Sequence, residues 1–224
     1  MNQSTFPTDL QLSGDKNFIA IEGPIGVGKT TLAKKLAQSF GTELLLEGAV
    51  DNPFLSKFYQ DPKNGALPAQ LYFLFQRVRQ LQGLKQGDMF APKHIADFLM
   101  DKDRLFARVT LDSDELNLYE QVYDNLTIDA PTPDLVIYLQ APVGVLLQRI
   151  RKRGIGMENN INEDYLNQLS SAYTDFFHYY NASPLLIVNA SGIDLVNNQA
   201  DYQQLVERIQ TTNNGRHYFN PAVV

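Results

Sequence analysis

The sequence contains no cysteine. That excludes a disulfide framework and a thiolate zinc site. Histidine is nearly as scarce: His94, His178 and His217 are the only three, far apart in the chain, which argues against a metal site built from imidazoles. No stretch reaches the run of about 18 apolar residues that a membrane-spanning helix needs. The opening MNQSTFPTDLQLSGDKN is polar and lacks the basic-then-apolar pattern of a secretory leader. The cytoplasm is therefore the expected location. Positive charge is also short. The net charge is −6 and the pI about 5.0, so the basic face that a nucleic-acid polymer requires is not expected. Internal repeats, linkers and low-complexity segments are missing too. What remains is 224 residues with 44% hydrophobic and 20% charged side chains, enough for one domain with a sizeable core.

Apolar periodicity supplies the frame. Short β-branched or aliphatic runs at 17–23, 42–48, 93–99, 134–141 and 184–190 read as about five buried strands. Helical patterns fall at 30–40, 52–59, 66–87, 114–127, 142–154, 163–181 and 201–210. Two of them carry clear punctuation: Asn52-Pro53 opens one, and Pro142 and Gly154 bracket another. Strands alternating with helices imply an α/β fold, a parallel sheet covered by helices on both faces. The first two strands are expected to be neighbours. Residues 1–16 and 211–224 read as tails around a single domain at 17–210.

Ligands of such sheets gather at the C-terminal ends of the strands. Gly23, Glu47 and Asp97 fall at or near such ends. Residues 23–31 read GPIGVGKTT: Gly23, Pro24, Ile25, Gly26, Val27, Gly28, Lys29, Thr30 and Thr31. Gly23, Gly28, Lys29 and Thr30 fill the pattern GxxxxGK[ST] between a strand and a helix, the setting of a P-loop. Its glycines let successive backbone N–H groups point at phosphate oxygens, and the helix N-terminus adds positive potential. Lys29 is placed to reach the outer phosphates and Thr30 to offer its hydroxyl to Mg²⁺. ATP and Mg²⁺ are the expected cofactors.

The acceptor is the next question. A motor or switch NTPase needs an acidic residue after a long apolar strand, and DLVIYLQA ends in Gln140 and Ala141. A small-molecule kinase needs a base beside the acceptor hydroxyl and cations over the phosphates. Glu47 is the candidate base. Arg149 and Arg153, four apart on one helix with Arg151 and Lys152 between them, are candidates for a lid spanning about 149–160.

The stretch EGAVDNPFLSKFYQDPKNGALPAQLYFLFQ at 47–76 resembles the deoxynucleoside kinase family, and the similarity extends over roughly 17–210. It implies a P-loop kinase that phosphorylates the 5′-hydroxyl of a deoxynucleoside in nucleotide salvage. It implies that Glu47 is the base, that Tyr59 and Glu158 hold the sugar 3′-hydroxyl, that Gln70 reads the base edge, and that Arg149 and Arg153 form the lid. An amide suits base reading because it both donates and accepts. Phe73 and Phe75 follow Gln70 as core residues or stacking rings. NPFLSKFY and QLYFLFQR resemble bacterial purine members, so deoxyadenosine or deoxyguanosine is favoured, and the family's dimeric habit implies a homodimer.

One stretch departs from the family. After the third strand the family carries an acid, then Arg; here Asp97 takes the acidic place and Phe98 stands where Arg is expected. Lys102 and Arg104 are the candidates to restore the charge, and Asp103 matches an acid near the base. Asp97 and Lys102 are counted with the substrate-binding residues. Gly48 replaces a Pro, Gly65 a large aromatic, and Ile155 a further lid Arg. Two alternatives stay open: a nucleoside monophosphate kinase of the thymidylate type, and a non-catalytic nucleotide-binding relative.

Overall fold

The computed structural model describes residues 12, 16–84, 92–127, 130–192 and 198–220. Most of the expected N-terminal tail and the end of the helix expected at 66–87 lie outside them. Among the described residues six strands form one parallel sheet: β1 (Phe18–Glu22), β2 (Glu43–Leu45), β3 (His94–Ala96), β4 (Leu135–Gln140), β5 (Leu185–Asn189) and β6 (Arg216–Phe219). Eight helices accompany it among the described residues: α1 (Lys29–Phe40), α2 (Leu55–Gln60), α3 (Pro62–Leu84), α4 (Asp103–Thr110), α5 (Ser113–Leu126), α6 (Val143–Arg153), α7 (Glu163–Tyr179) and α8 (Gln199–Thr211).

The strand order is β2-β3-β1-β4-β5-β6. The expectation that the first two strands are neighbours is therefore corrected: β3 lies between them, with Ala96 opposite both Ala20 and Leu45. This insertion sets Asp97 between the P-loop and Glu47. The expected tail at 211–224 is corrected as well, because Arg216–Phe219 pairs along β5. Its single buried residue is Phe219, so RHYF carries little of the apolar pattern of an inner strand. At the other end Lys16 is buried and donates to Asn213, and Leu12 joins the core.

Alternation along β1 divides the core. Ile19 and Ile21 face α1, α6 and α8, where Leu36, Leu146 and Leu205 are fully buried. Phe18 and Ala20 face the side built by α3, α4, α5 and α7. The sheet is buried on both faces, as continuous apolar strands require.

The site-bearing helices α2 and α3 meet unusually closely. Gly65 is what permits it: a Cβ there would stand 2.5 Å from the Phe58 Cα and 2.6 Å from the Phe58 N. The large aromatic of the family resemblance cannot occupy this position in this packing. Gly65→Ala is expected to destabilise the fold by about 1–3 kcal/mol, the usual size of overpacking. Denaturant unfolding of the two proteins measures it.

Candidate active site

The P-loop fits its motif. It leaves β1 at Gly23 and enters α1 at Lys29, and Gly23, Gly26 and Gly28 have φ of 149°, 84° and 109°. Side chains rarely adopt these values. At Gly23 a Cβ would also stand 2.4 Å from the Leu139 carbonyl oxygen, so the loop presses against β4. The Lys29 Nζ donates to the Gly23 carbonyl at 2.7 Å. Burial pushes its ammonium below the usual lysine range, while Glu22 and Asp97 oppose that shift.

Above the loop opens a cavity of about 870 Å³, lined at one end by Lys29, Thr30 and Arg149 and at the other by Glu47, Tyr59 and Gln70. Phosphate loop and candidate base thus share one chamber, with room for a nucleoside between them. The Glu47 carboxylate accepts from the Lys102 Nζ at 3.0 Å and is paired with Arg77. Arg77 is buried and also pairs with Asp103. Burial and the neighbouring Arg77 push the Lys102 ammonium well below the usual lysine range, and Glu22 opposes them. Despite its two carboxylate neighbours, desolvation dominates, because the side chain is 2% exposed.

The departure after β3 is thereby resolved. Phe98, where the resemblance places Arg, is a core residue at 1% exposure. Lys102 reaches Glu47 from the short helical turn after it. Arg104 points elsewhere, to Asp124 on α5. Asp97 is corrected in place: it does not line the cavity, and its carboxylate accepts from the Thr30 hydroxyl at 2.5 Å and from the Glu47 backbone N–H at 2.7 Å. Through Thr30 it stands beside the P-loop, just past the end of β3, the strand next to β1. Mg²⁺ asks for few protein ligands beside phosphate oxygens and water, and the Thr30 hydroxyl with Asp97 behind it suits that demand.

The lid residues meet the same cavity. Arg149 donates to the Val27 and Ala190 carbonyls at 3.2 and 2.7 Å, pinning α6 against the P-loop and the end of β5. Arg153 makes a bidentate pair with Glu158, whose carboxylate is buried. Lys152 lines the cavity and Arg151 does not. At the far end Gln70 is 4% exposed and donates to Thr110 at 3.2 Å. Burial first, then Tyr165 and Glu158, push the Tyr59 phenol far above its usual range, so it stays a neutral donor. Phe73 lines the cavity; Phe75 does not and is 43% exposed.

Sequence reasoning missed Arg77 and Phe106. Gln70, Phe73 and Arg77 follow one another at three and four residues, so one face of α3 carries all of them. That spacing was the available signal for Arg77. Phe106 lies on α4, an element the apolar pattern did not reveal.

A P-loop at the end of a parallel sheet, facing a carboxylate across a chamber of nucleoside size, defines a P-loop phosphotransferase. The family described as deoxynucleoside kinase matches residues 19–213, and the chain belongs to that family. A deoxyguanosine kinase of Bacillus subtilis is 39% identical over 200 residues, covering 86% of this chain and 96% of its own. A deoxyadenosine kinase of Lactobacillus acidophilus is 30% identical, covering 85% and 94%. Among solved structures, a deoxyadenosine kinase from M. mycoides with bound dATP is similar at a TM-score of 0.75 and 27% identity, covering 87% of this chain and 99% of that one. No helix among the described residues is long and apolar enough to cross a membrane.

Proposed function

We propose that the chain phosphorylates the 5′-hydroxyl of deoxyguanosine or deoxyadenosine with ATP and Mg²⁺, as a cytoplasmic homodimer in nucleotide salvage. The observation that carries this reading is Glu47 across one cavity from Lys29 and Thr30. The purine preference rests on the relatives being deoxyguanosine and deoxyadenosine kinases and on the resemblance of the α2 and α3 stretches to purine members.

When bound, ATP with Mg²⁺ supplies the phosphoryl group and the divalent charge that neutralises it. The P-loop amides and Lys29 hold the phosphates, with Thr30 and Asp97 on the metal side. Glu47 takes the proton of the 5′-hydroxyl. Lys102 steadies the Glu47 carboxylate, filling the place of the missing family Arg. Arg149 and Arg153 face the charge that spreads over the phosphoryl oxygens during transfer. Tyr59 and Glu158 hold the 3′-hydroxyl. Gln70 meets the base edge, and Arg77 lines the same cavity from the same helix.

A monophosphate acceptor would need spare positive charge near β3. Lys102 and Arg77 are engaged by Glu47 and Asp103, and Arg104 by Asp124, so these cations favour a neutral acceptor. Labelled ATP, Mg²⁺ and each of the four deoxynucleosides and their monophosphates test the reading. Label is expected on deoxyguanosine or deoxyadenosine. Label only on monophosphates, or only in free phosphate, overturns it.

A further inference from the structure

The last residue of β1 stands directly behind the P-loop and outside the cavity. Glu22 is 0% exposed. Its Oε1 accepts from the Gly23 N–H at 2.9 Å and from the Tyr173 hydroxyl at 2.7 Å. Its Oε2 accepts from the Leu99 N–H at 3.0 Å. The same oxygen lies 3.7 Å from the Lys102 Nζ. A buried carboxylate is costly unless its oxygens are satisfied. Here three donors from the P-loop, α7 and the segment after β3 fix it without any help from Lys102.

Lys102 is the less secure partner. Its Nζ bonds to Glu47 on one side, faces Glu22 on the other, and lies 4.7 Å from the centre of the Phe106 ring. We propose that Glu22 is a positioning residue for phosphoryl transfer: the fixed anion that holds Lys102 in place as an ammonium against Glu47. This rests on the reading of Lys102 as the cation that serves the base. Without Glu22, the ammonium has Glu47 as its near anion. It then shares that partner with Arg77, and when the substrate hydroxyl passes its proton to Glu47 that charge disappears. A second anion that takes no part in proton transfer keeps the cation in position through the step.

The electrostatics point the same way. The charged groups facing Lys102 are Glu22 on β1, Glu47 after β2, Arg77 on α3, Lys29 on α1 and Asp97 after β3, with Asp103 on α4 behind Arg77 and the Tyr173 hydroxyl on Glu22. Burial, Arg77 and Lys29 favour the neutral amine, while Glu22 and Asp97 favour the ammonium. Removing Glu22 therefore lowers the pH at which Lys102 loses its proton. Turnover that needs the ammonium is lost as pH rises through that point, so its alkaline limb moves to lower pH.

Glu22→Gln tests this. The Lys102 titration is read from its ¹³Cε signal in lysine-labelled protein, assigned by its loss in Lys102→Ala. The expected result is a fall in the Lys102 midpoint of about 1–3 pH units, the range an opposite charge at this distance commands. The alkaline limb of kcat moves with it, and the KM for ATP changes less than about threefold. Glu22→Asp retains the charge at a longer reach and should fall between the two proteins. A Lys102 midpoint that does not move, with kcat lowered evenly at all pH, overturns the proposal and makes Glu22 a prop for the loop. So does failure of both variants to fold. Native turnover in Lys102→Ala would instead overturn the reading of Lys102, and the titration of Glu22→Gln would still show whether the two residues interact.

Discussion

Glu47→Gln is expected to lower kcat by about 10²–10⁴-fold, the usual contribution of a general base, with the KM for ATP nearly unchanged. The amide keeps the size of the carboxylate and an oxygen that still accepts from Lys102. It cannot take the proton of a sugar hydroxyl. ATP binding is expected to survive because the groups assigned to phosphate, the P-loop amides and Lys29, lie across the cavity and do not touch Glu47. The loss should therefore appear in kcat rather than in the KM for ATP. The substitution also removes the negative partner shared by Lys102 and Arg77. Thermal unfolding of the variant separates that structural effect from the chemical one: a folded protein with low turnover assigns the loss to proton transfer. A folded variant with native turnover removes Glu47 as the base.

The P-loop was legible because its chemistry is contiguous: nine residues carry the turn, the anion cradle, the lysine and the hydroxyl. The layered fold was legible for a similar reason, since β1 to β5 each announce themselves by a short apolar run, whereas RHYF of β6, with one buried residue, does not. Strand order is a long-range property, and nothing in 42–48 or 93–99 tells that β3 separates β2 from β1. That one insertion explains the misplacement of Asp97. Its side chain works with Thr30, 67 residues earlier, and the sequence offered only its position after a strand. Lys102 was visible as a charge near the missing Arg, but Arg104 was equally visible. Only the turn leading into α4 decides which of the two points inward. Arg77 and Glu22 were hidden more deeply. A basic residue on a long helix and an acid at a strand end are commonplace, and both acquire meaning from partners on other elements.

The choice between those two cations leads to a second large effect. Lys102→Ala is expected to lower kcat by about 10²–10³-fold, the size found when one preorganised polar group is removed from a reaction centre. Arg104→Ala should leave kcat within about twofold, since exposed ion pairs contribute about 0–1 kcal/mol and this one lies away from the cavity. The contrast follows from burial and direction. Lys102 is 2% exposed and bonds to Glu47, whereas Arg104 is 36% exposed and bonds to Asp124. Truncating Lys102 leaves Glu47 with Arg77 as its near cation, and Arg77 is already shared with Asp103. Glu47 is then drawn toward α3 and away from the P-loop, so its proton-accepting oxygen is misplaced rather than merely less well paired. The two single variants and their double, assayed side by side, read this directly. A double variant no worse than Lys102→Ala confines the role to Lys102. A loss in Arg104→Ala equal to that in Lys102→Ala would mean that the inward cation is not the one that serves the base.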